Sequence, residues 1–413
     1  MNATFSIKGM ITMAVVQIQM RKASPAKGCA LFNLGFRPFF LGAGIFAIVS
    51  IVWWVLLYSG HDIVQIQSIT NAQWHAHEML YGYGLAVVAG FLLTAVRNWT
   101  GVPTPHGKPL MGLFALWVSA RVLFLFGTSL MLWAAIADLL FGLMLIIAIS
   151  IPIFRAKQWP QLAVIVKIAM LWVGNIVFYI GYYKILQDGM LYAINGAVLL
   201  LIGLILMIGR RVIPFFIERG VSQPFKIKHH QWLDSSILVA FLALFINEIF
   251  YQYAELTPYL AVGLFLMNGY RLLGWHVWGI WRVPLLWSLY LSAWMINLGF
   301  FLYGVRVLCA IPLVLVLHLF TIGGIGLMSL AMMARVALGH TGRDIRASSV
   351  WLVPIFIAVM LSLLLRVFAP MFAMQFYTSW IVAAAVCWIL GFAVFVWIYA
   401  PILFNPRVDG NPG

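Results

Sequence analysis

Apolar residues run along this chain in unbroken stretches of about twenty, set apart by short clusters of glycine, proline and charge. A stretch of ~20 apolar residues in helical form crosses a ~30 Å hydrocarbon core while satisfying its own backbone polar groups. Read against the turn signals, the pattern predicts about twelve spans. They run roughly from 38 to 58, 73 to 96, 109 to 126, 130 to 154, 160 to 182, 190 to 209, 232 to 252, 258 to 280, 284 to 304, 309 to 334, 350 to 368 and 376 to 400. The expected fold class is therefore all-α, a polytopic membrane protein with a single bundle over residues 38–403. Residues 1–37 are expected to form a cytoplasmic lead-in and 404–413 a cytoplasmic tail.

Charge fixes the expected orientation. Only 8% of the 413 residues are charged, against about a quarter in soluble domains, and the net charge is +15. Such a balance could suggest nucleic acid, but the basic residues sit in alternate short loops. Arg97, Lys108, Arg155, Lys157, Arg210, Arg211, Arg219, Lys226, Lys228, Arg282, Arg335, Arg343 and Arg346 are expected in loops on one side, and little beyond Lys184 and Arg306 falls on the other. Positive charge in alternate loops reports the cytoplasmic side, so both termini are expected there and no nucleic-acid partner is implied. The longest inner loop, "GRRVIPFFIERGVSQPFKIKHHQ", divides the spans into two sets of about six without a convincing internal repeat. Cys29, Cys309 and Cys387 lie far apart and make no CxxC or CxxCH, which argues against disulfide scaffolds and covalently attached haem. The first thirty residues carry no convincing secretory cleavage site.

Polar residues inside apolar spans are costly and either pair or work. Arg121 and Asp138 stand at similar distances from the turn "GTSL" and are expected to form an ion pair. Lys167 and Arg271 have no sequence-local partner and could hold an anionic group, whereas Arg366 and Glu248 lie near span ends, where long side chains snorkel. The densest polar stretch is "SITNAQWHAHEMLYGYG". Thr70 and Gln73 make a capping box there, so a helix is expected to begin near Asn71, with His75 and His77 in its first two turns. At ~100° per residue His75, Glu78 and Met79 share one face and His77 projects nearly opposite.

A second histidine of interest, His318, lies ~25 Å from Arg335 by helical rise, and His77 stands ~30 Å from Arg97, so both reach the outer half. His276 is only ~9 Å from Arg282 and belongs to the inner half. A lone buried histidine is ordinarily a hydrogen-bonded core residue. Two or three at matching depth instead suggest an imidazole-ligated metal, with haem iron and copper both suited to such ligands. The "TIGGIG" after His318 offers close approach to a helix or a flat ligand.

Several stretches together resemble the NnrS family of bacterial membrane proteins. These are "FNLGFRPFFLGAG", "WHAHEMLYGYG", "RNWTG", "GRRVIPFF" and "LHLFTIGGIGLMSLAMMARVALGHTGR". The resemblance implies a twelve-helix protein of the bacterial inner membrane containing haem and copper and associated with nitric oxide stress and denitrification. Its histidine motifs are matched by His75, His77, His318 and His340. In the ninth span, where the family shows a pattern like LHxGYxW, this chain reads "LLWSLYLSAW" with Tyr290, which places a copper position in doubt. An arrangement resembling haem-copper oxidases would put axial haem ligands on the second and tenth spans, but the oxidase copper histidines are unmatched in the sixth and seventh.

The resulting expectation is a haem b protein, with copper as a second cofactor, that senses or detoxifies nitric oxide or metal-nitrosyl species. His75 or His77 with His318 would hold iron, Glu78, Met79 and His276 are further metal candidates, and Arg271 is a partner for a haem propionate. Whether it turns over as a nitric oxide oxidoreductase, and from what electron donor, stays open. A proton-coupled secondary transporter, with Glu78, Arg121, Asp138 and Lys167 along its pathway, and a metal- or haem-delivery protein are the rival readings.

Overall fold

A computed structural model describes residues 28–61, 68–345 and 349–410. Most of the expected lead-in, 1–27, and the tail's last residues, 411–413, lie outside the described residues. Among the described residues every regular element is helical. Twelve long helices follow one another: α1 Phe36–Tyr58, α2 Asn71–Thr100, α3 Lys108–Phe124, α4 Met131–Arg155, α5 Leu162–Tyr182 and α6 Gly189–Gly220 in the first half. The second half holds α7 Gln231–Tyr251, α8 Leu256–Trp275, α9 Pro284–Val305, α10 Leu313–His340, α11 Leu352–Phe372 and α12 Tyr377–Phe404. Ten spans are long and apolar enough to cross a membrane. The other two are α3, with 17 residues, and α8, whose apolar run is broken by Asn268 and Arg271.

Three boundaries depart from the sequence reading by five residues or more. Helix α6 continues through "GRRVIPFFIERG" to Gly220, with Pro214 inside it, so the inner loop shrinks to residues 221–230. At 32 residues the helix is ~48 Å long, well beyond a ~30 Å core, and its basic end projects past the apolar layer. Helix α10 likewise runs on to His340. Arg335 is thus a buried helical residue whose guanidinium lies 3.8 Å from the Phe216 ring centroid, and not a loop anchor. Helix α8 stops at Trp275, five residues early, because Pro284 and the short 3₁₀ turn Trp278–Arg282 take over the connection.

Burial identifies the centre of the bundle. In their most apolar windows α2 is 83% and α10 67% buried, more than any other span. Each touches the other and α1, and both meet α6. The Tyr83 hydroxyl and Ser329 Oγ, 2.5 Å apart, join them directly. The chain ends close the ring: α12 packs along α1, and Arg37 Nη1, fully buried, donates to the carbonyls of Leu403 at 2.9 Å and Asn405 at 2.7 Å. The two histidine-bearing helices of the sequence analysis are therefore the two most enclosed.

Candidate functional site

The capping box forms as expected. Gln73 N–H donates to Thr70 Oγ1, and the Gln73 side chain returns to the Thr70 backbone. Helix α2 begins at Asn71 and winds as an ordinary α-helix through His77, then opens into a π-helical stretch over Glu78–Gly84. Helix α10 repeats the design: Leu313–His318 is α-helical and Leu319–Gly326 is π-helical. Each wide stretch starts at or just after a histidine. Such π segments are rare and recur at functional sites, because one wider turn redirects the side chains that follow.

On one side of α2 lies a closed polar network. His77 is fully buried, between the rings of Phe178, at 4.2 Å, and Phe124, at 5.1 Å. Its Nδ1 is 2.9 Å from Glu78 Oε1 and its Nε2 is 3.0 Å from Asn175 Oδ1. Asn175 is oriented by donating its Nδ2–H to Asp138 Oδ2 at 2.8 Å, so its Oδ1 must accept from His77 Nε2–H. Arg121 donates to Glu78 Oε1 at 2.6 Å and, through Nη2, to Asp138 Oδ1, while the Tyr179 hydroxyl donates to Asp138 Oδ2 at 3.0 Å. The expected Arg121 and Asp138 pair is real and is part of this larger cluster. Gly82 makes room for it, since a Cβ there would stand 2.7 Å from the Phe46 ring and 2.8 Å from Arg121 Nη1.

On the other side of α2 the surroundings are apolar. His75 stacks on Trp54, centroid to centroid 4.6 Å, and faces His318 across 6.4 Å with the two ring planes only 13° apart. A metal bound by a ring nitrogen at ~2.0–2.1 Å stands about 3 Å from that ring's centroid, so two imidazoles opposed across one metal would place their centroids about 6 Å apart. His318 Nδ1–H donates to the Val314 carbonyl at 2.7 Å. This bond fixes the tautomer and leaves Nε2 as a lone-pair donor, the orienting contact that metal-bound histidines commonly make. His75 Nδ1 is buried and has no hydrogen-bond partner among the described residues, an unusual condition for a native polar atom.

Both rings line a cavity of about 370 Å³ walled by Trp54, Met79, Tyr83, Ile322 and Trp388, within the ~300–1,000 Å³ typical of small-molecule sites. Arg366 also lines it, 7% exposed. Its guanidinium lies 5.3 Å from the Tyr377 ring centroid, and Nη1 is buried without a partner.

Several sequence expectations change here. Glu78 does not share a face with His75. The helix widens at Glu78, and its carboxylate swings to His77 and Arg121, leaving Met79 beside His75. His77 is spent on protein partners and does not line the cavity. Arg271 is taken by Asp234 at 3.1 Å and Asn268 at 2.6 Å and lies outside the cavity wall. His276 caps the end of α8 and accepts a hydrogen bond from Trp281 Nε1–H at 3.2 Å. It does rest against Tyr290, 5.9 Å between centroids, but the Tyr290 hydroxyl donates to the Leu272 carbonyl. Among the described residues no three His, Cys, Asp or Glu side chains are grouped to hold a metal ion, so the copper expectation finds no assembled donor set. The glycines of "TIGGIG" receive neighbouring helices: Cβ atoms at Gly324 and Gly326 would stand 2.6 Å from Ile296 and 2.8 Å from Trp388.

Sequence reasoning missed Asn175, Tyr179 and Trp54, and it assigned Arg366 to snorkelling. A lone asparagine within "LWVGNIVFY" was the available signal for the first. Arg366 was legible only as a cation in an apolar run.

The family model described as NnrS protein matches residues 30–407. No curated protein matches the chain.

Proposed function

We propose that this chain, a member of the NnrS family, is a haem-binding protein of the bacterial inner membrane that acts in the response to nitric oxide, with His75 and His318 as the residues that would hold the iron. Family membership fits the nitric oxide response. The haem reading rests above all on two near-parallel imidazoles 6.4 Å apart over an apolar cavity. The residues fit the group: one ring is fixed as a lone-pair donor by Val314, the other has a buried nitrogen with no protein partner, and the walls are apolar and aromatic. Bound there, haem would supply a redox-active iron whose reactivity toward nitric oxide is governed by its axial ligands.

The chain's own contribution is positional. A π-helical stretch follows each histidine, and in α2 it carries Glu78 away to Arg121, while the Val314 carbonyl holds His318 in one tautomer. Trp54 supports the His75 ring from one face, and Trp388 and Tyr83 close the wall against water. Both termini are placed on the cytoplasmic side, from the basic loops of the sequence. The cavity then lies toward the outer face, ~6 Å along α2 from its start to His75 and ~8 Å along α10 to His318.

The test is a haem assay on full-length protein purified in neutral detergent from haem-replete cells. About one b-type haem per chain with a Soret band is the expected outcome, and a shift of that band on adding nitric oxide would require one of the two histidines to leave the iron. A colourless, haem-free sample that takes up no added haemin would refute the reading.

A further inference from the structure

Arg366 is a cation in the wall of this cavity with no aspartate or glutamate ion-paired to it among the described residues. It lies within the π-helical stretch Leu364–Phe368 of α11, 7% exposed. By helical rise it stands ~9 Å from the end of that helix, the depth at which α2 and α10 present their histidines. Three other buried arginines of the bundle have oxygen partners: Arg121 has Glu78 and Asp138, Arg271 has Asp234, and Arg37 has three carbonyls, while Arg335, which lies outside the cavity wall, rests on the Phe216 ring. Arg366 has the side chain of Tyr377 as a hydrogen-bonding and ring partner, while its buried Nη1 has no hydrogen-bond partner among the described residues. No aspartate or glutamate among the described residues lines the cavity. A guanidinium cannot shed its proton in a protein, and leaving it unpaired away from water is expensive. A negative charge on whatever fills the cavity would satisfy it.

We infer that Arg366 binds a propionate carboxylate of the haem held by His75 and His318, as the positioning residue that sets the macrocycle's orientation in the cavity. The inference rests on the haem reading above and extends it. Only a ligand that carries both a metal for two imidazoles and a carboxylate for a guanidinium meets every unpartnered group in this wall. A planar guanidinium matches a carboxylate in a two-pronged hydrogen bond, which a lysine cannot reproduce. The role expected of Arg271 from sequence therefore falls to Arg366, since Arg271 is neutralised by Asp234.

The inference is tested by titrating haem-depleted full-length protein, in a neutral maltoside detergent that brings no anion of its own, with haemin and with its dipropionate dimethyl ester. Wild type is expected to bind the free acid about tenfold or more tightly than the ester, the ratio that one charge-assisted hydrogen bond gives. Arg366→Gln should bind both alike, keep a Soret band, and show a lower haem midpoint potential because a cation near the iron is gone. Arg366→Lys should restore part of the preference. Equal affinity of wild type for acid and ester, with a Soret band present, overturns the inference while leaving the histidine reading intact, and so does an undiminished preference in Arg366→Gln. Failure of wild type to bind either porphyrin sinks the haem reading and this inference with it.

Discussion

His75 and His77 sit two residues apart on one helix and have opposite circumstances. His77 is fully enclosed with both ring nitrogens matched by protein oxygens and aromatic rings against it. His75 has a buried nitrogen with no partner and looks across an apolar cavity at a second histidine. A buried polar group that the chain satisfies is part of the architecture, and one that it leaves unsatisfied beside a cavity calls for an explanation, of which a bound ligand is one. The polar stretch at the head of α2 is thus two sites set back to back. One is an internal ionic lock joining α2, α3, α4 and α5, and the other is one wall of the cavity shared with α10 and α11, the haem site proposed above.

This contrast predicts a clean division: substitutions in the lock should cost stability and spare haem, and substitutions in the cavity wall should do the reverse. The largest stability effect is expected of Asp138→Ala. It strips Arg121 of a carboxylate and takes acceptors from Asn175 and Tyr179. Removing one partner of a buried ion pair costs ~3–5 kcal/mol, so the melting temperature in detergent should fall steeply while the protein still folded keeps its haem. A variant that melts like wild type but arrives without haem would reverse the assignment of the two sites.

His77→Gln is the next test. It leaves Glu78 tied to Arg121 but disturbs the Asn175 contact, at a cost of ~1–3 kcal/mol. Its Soret maximum and haem content should match wild type, and a shifted spectrum would place His77 at the metal after all. The smallest change is Thr70→Ala, which removes the cap of α2 for ~0.5–2 kcal/mol. Because His75 lies in the first turns beyond that cap, slightly faster haem loss is expected along with the drop in melting temperature. Unaltered haem release would show that Trp54 and the bundle, and not the cap, hold the ring.

Much of the architecture was legible because lipid imposes one rule, an apolar run of helical span length, and charge imposes another. The start of α2 was equally readable, since Thr70 and Gln73 form a local device that needs no distant partner. What could not be read was the rotation of the side chains after residue 77. An ordinary helix puts Glu78 beside His75, whereas the π-helical stretch over Glu78–Gly84 delivers it to Arg121. That widening depends on contacts from other helices, including Trp117 Nε1–H donating to the Gly82 carbonyl at 3.0 Å. The partners of Arg271 and the isolation of Arg366 are likewise tertiary facts: Asp234 is 37 positions from Arg271. The helical overruns at Gly220 and His340 were hidden because charged residues there read as loop, although both helices continue past the apolar layer.

The central claim is that His75 and His318, and not His77, hold the iron. Its most direct measurement is the Soret absorbance per polypeptide of purified His75→Ala, His318→Ala and His77→Ala proteins compared with wild type. The expected result is loss of the wild-type spectrum in the first two, with an intact size-exclusion profile, and its retention in the third. A wild-type spectrum in His318→Ala, or loss of the band in His77→Ala alone, would contradict it.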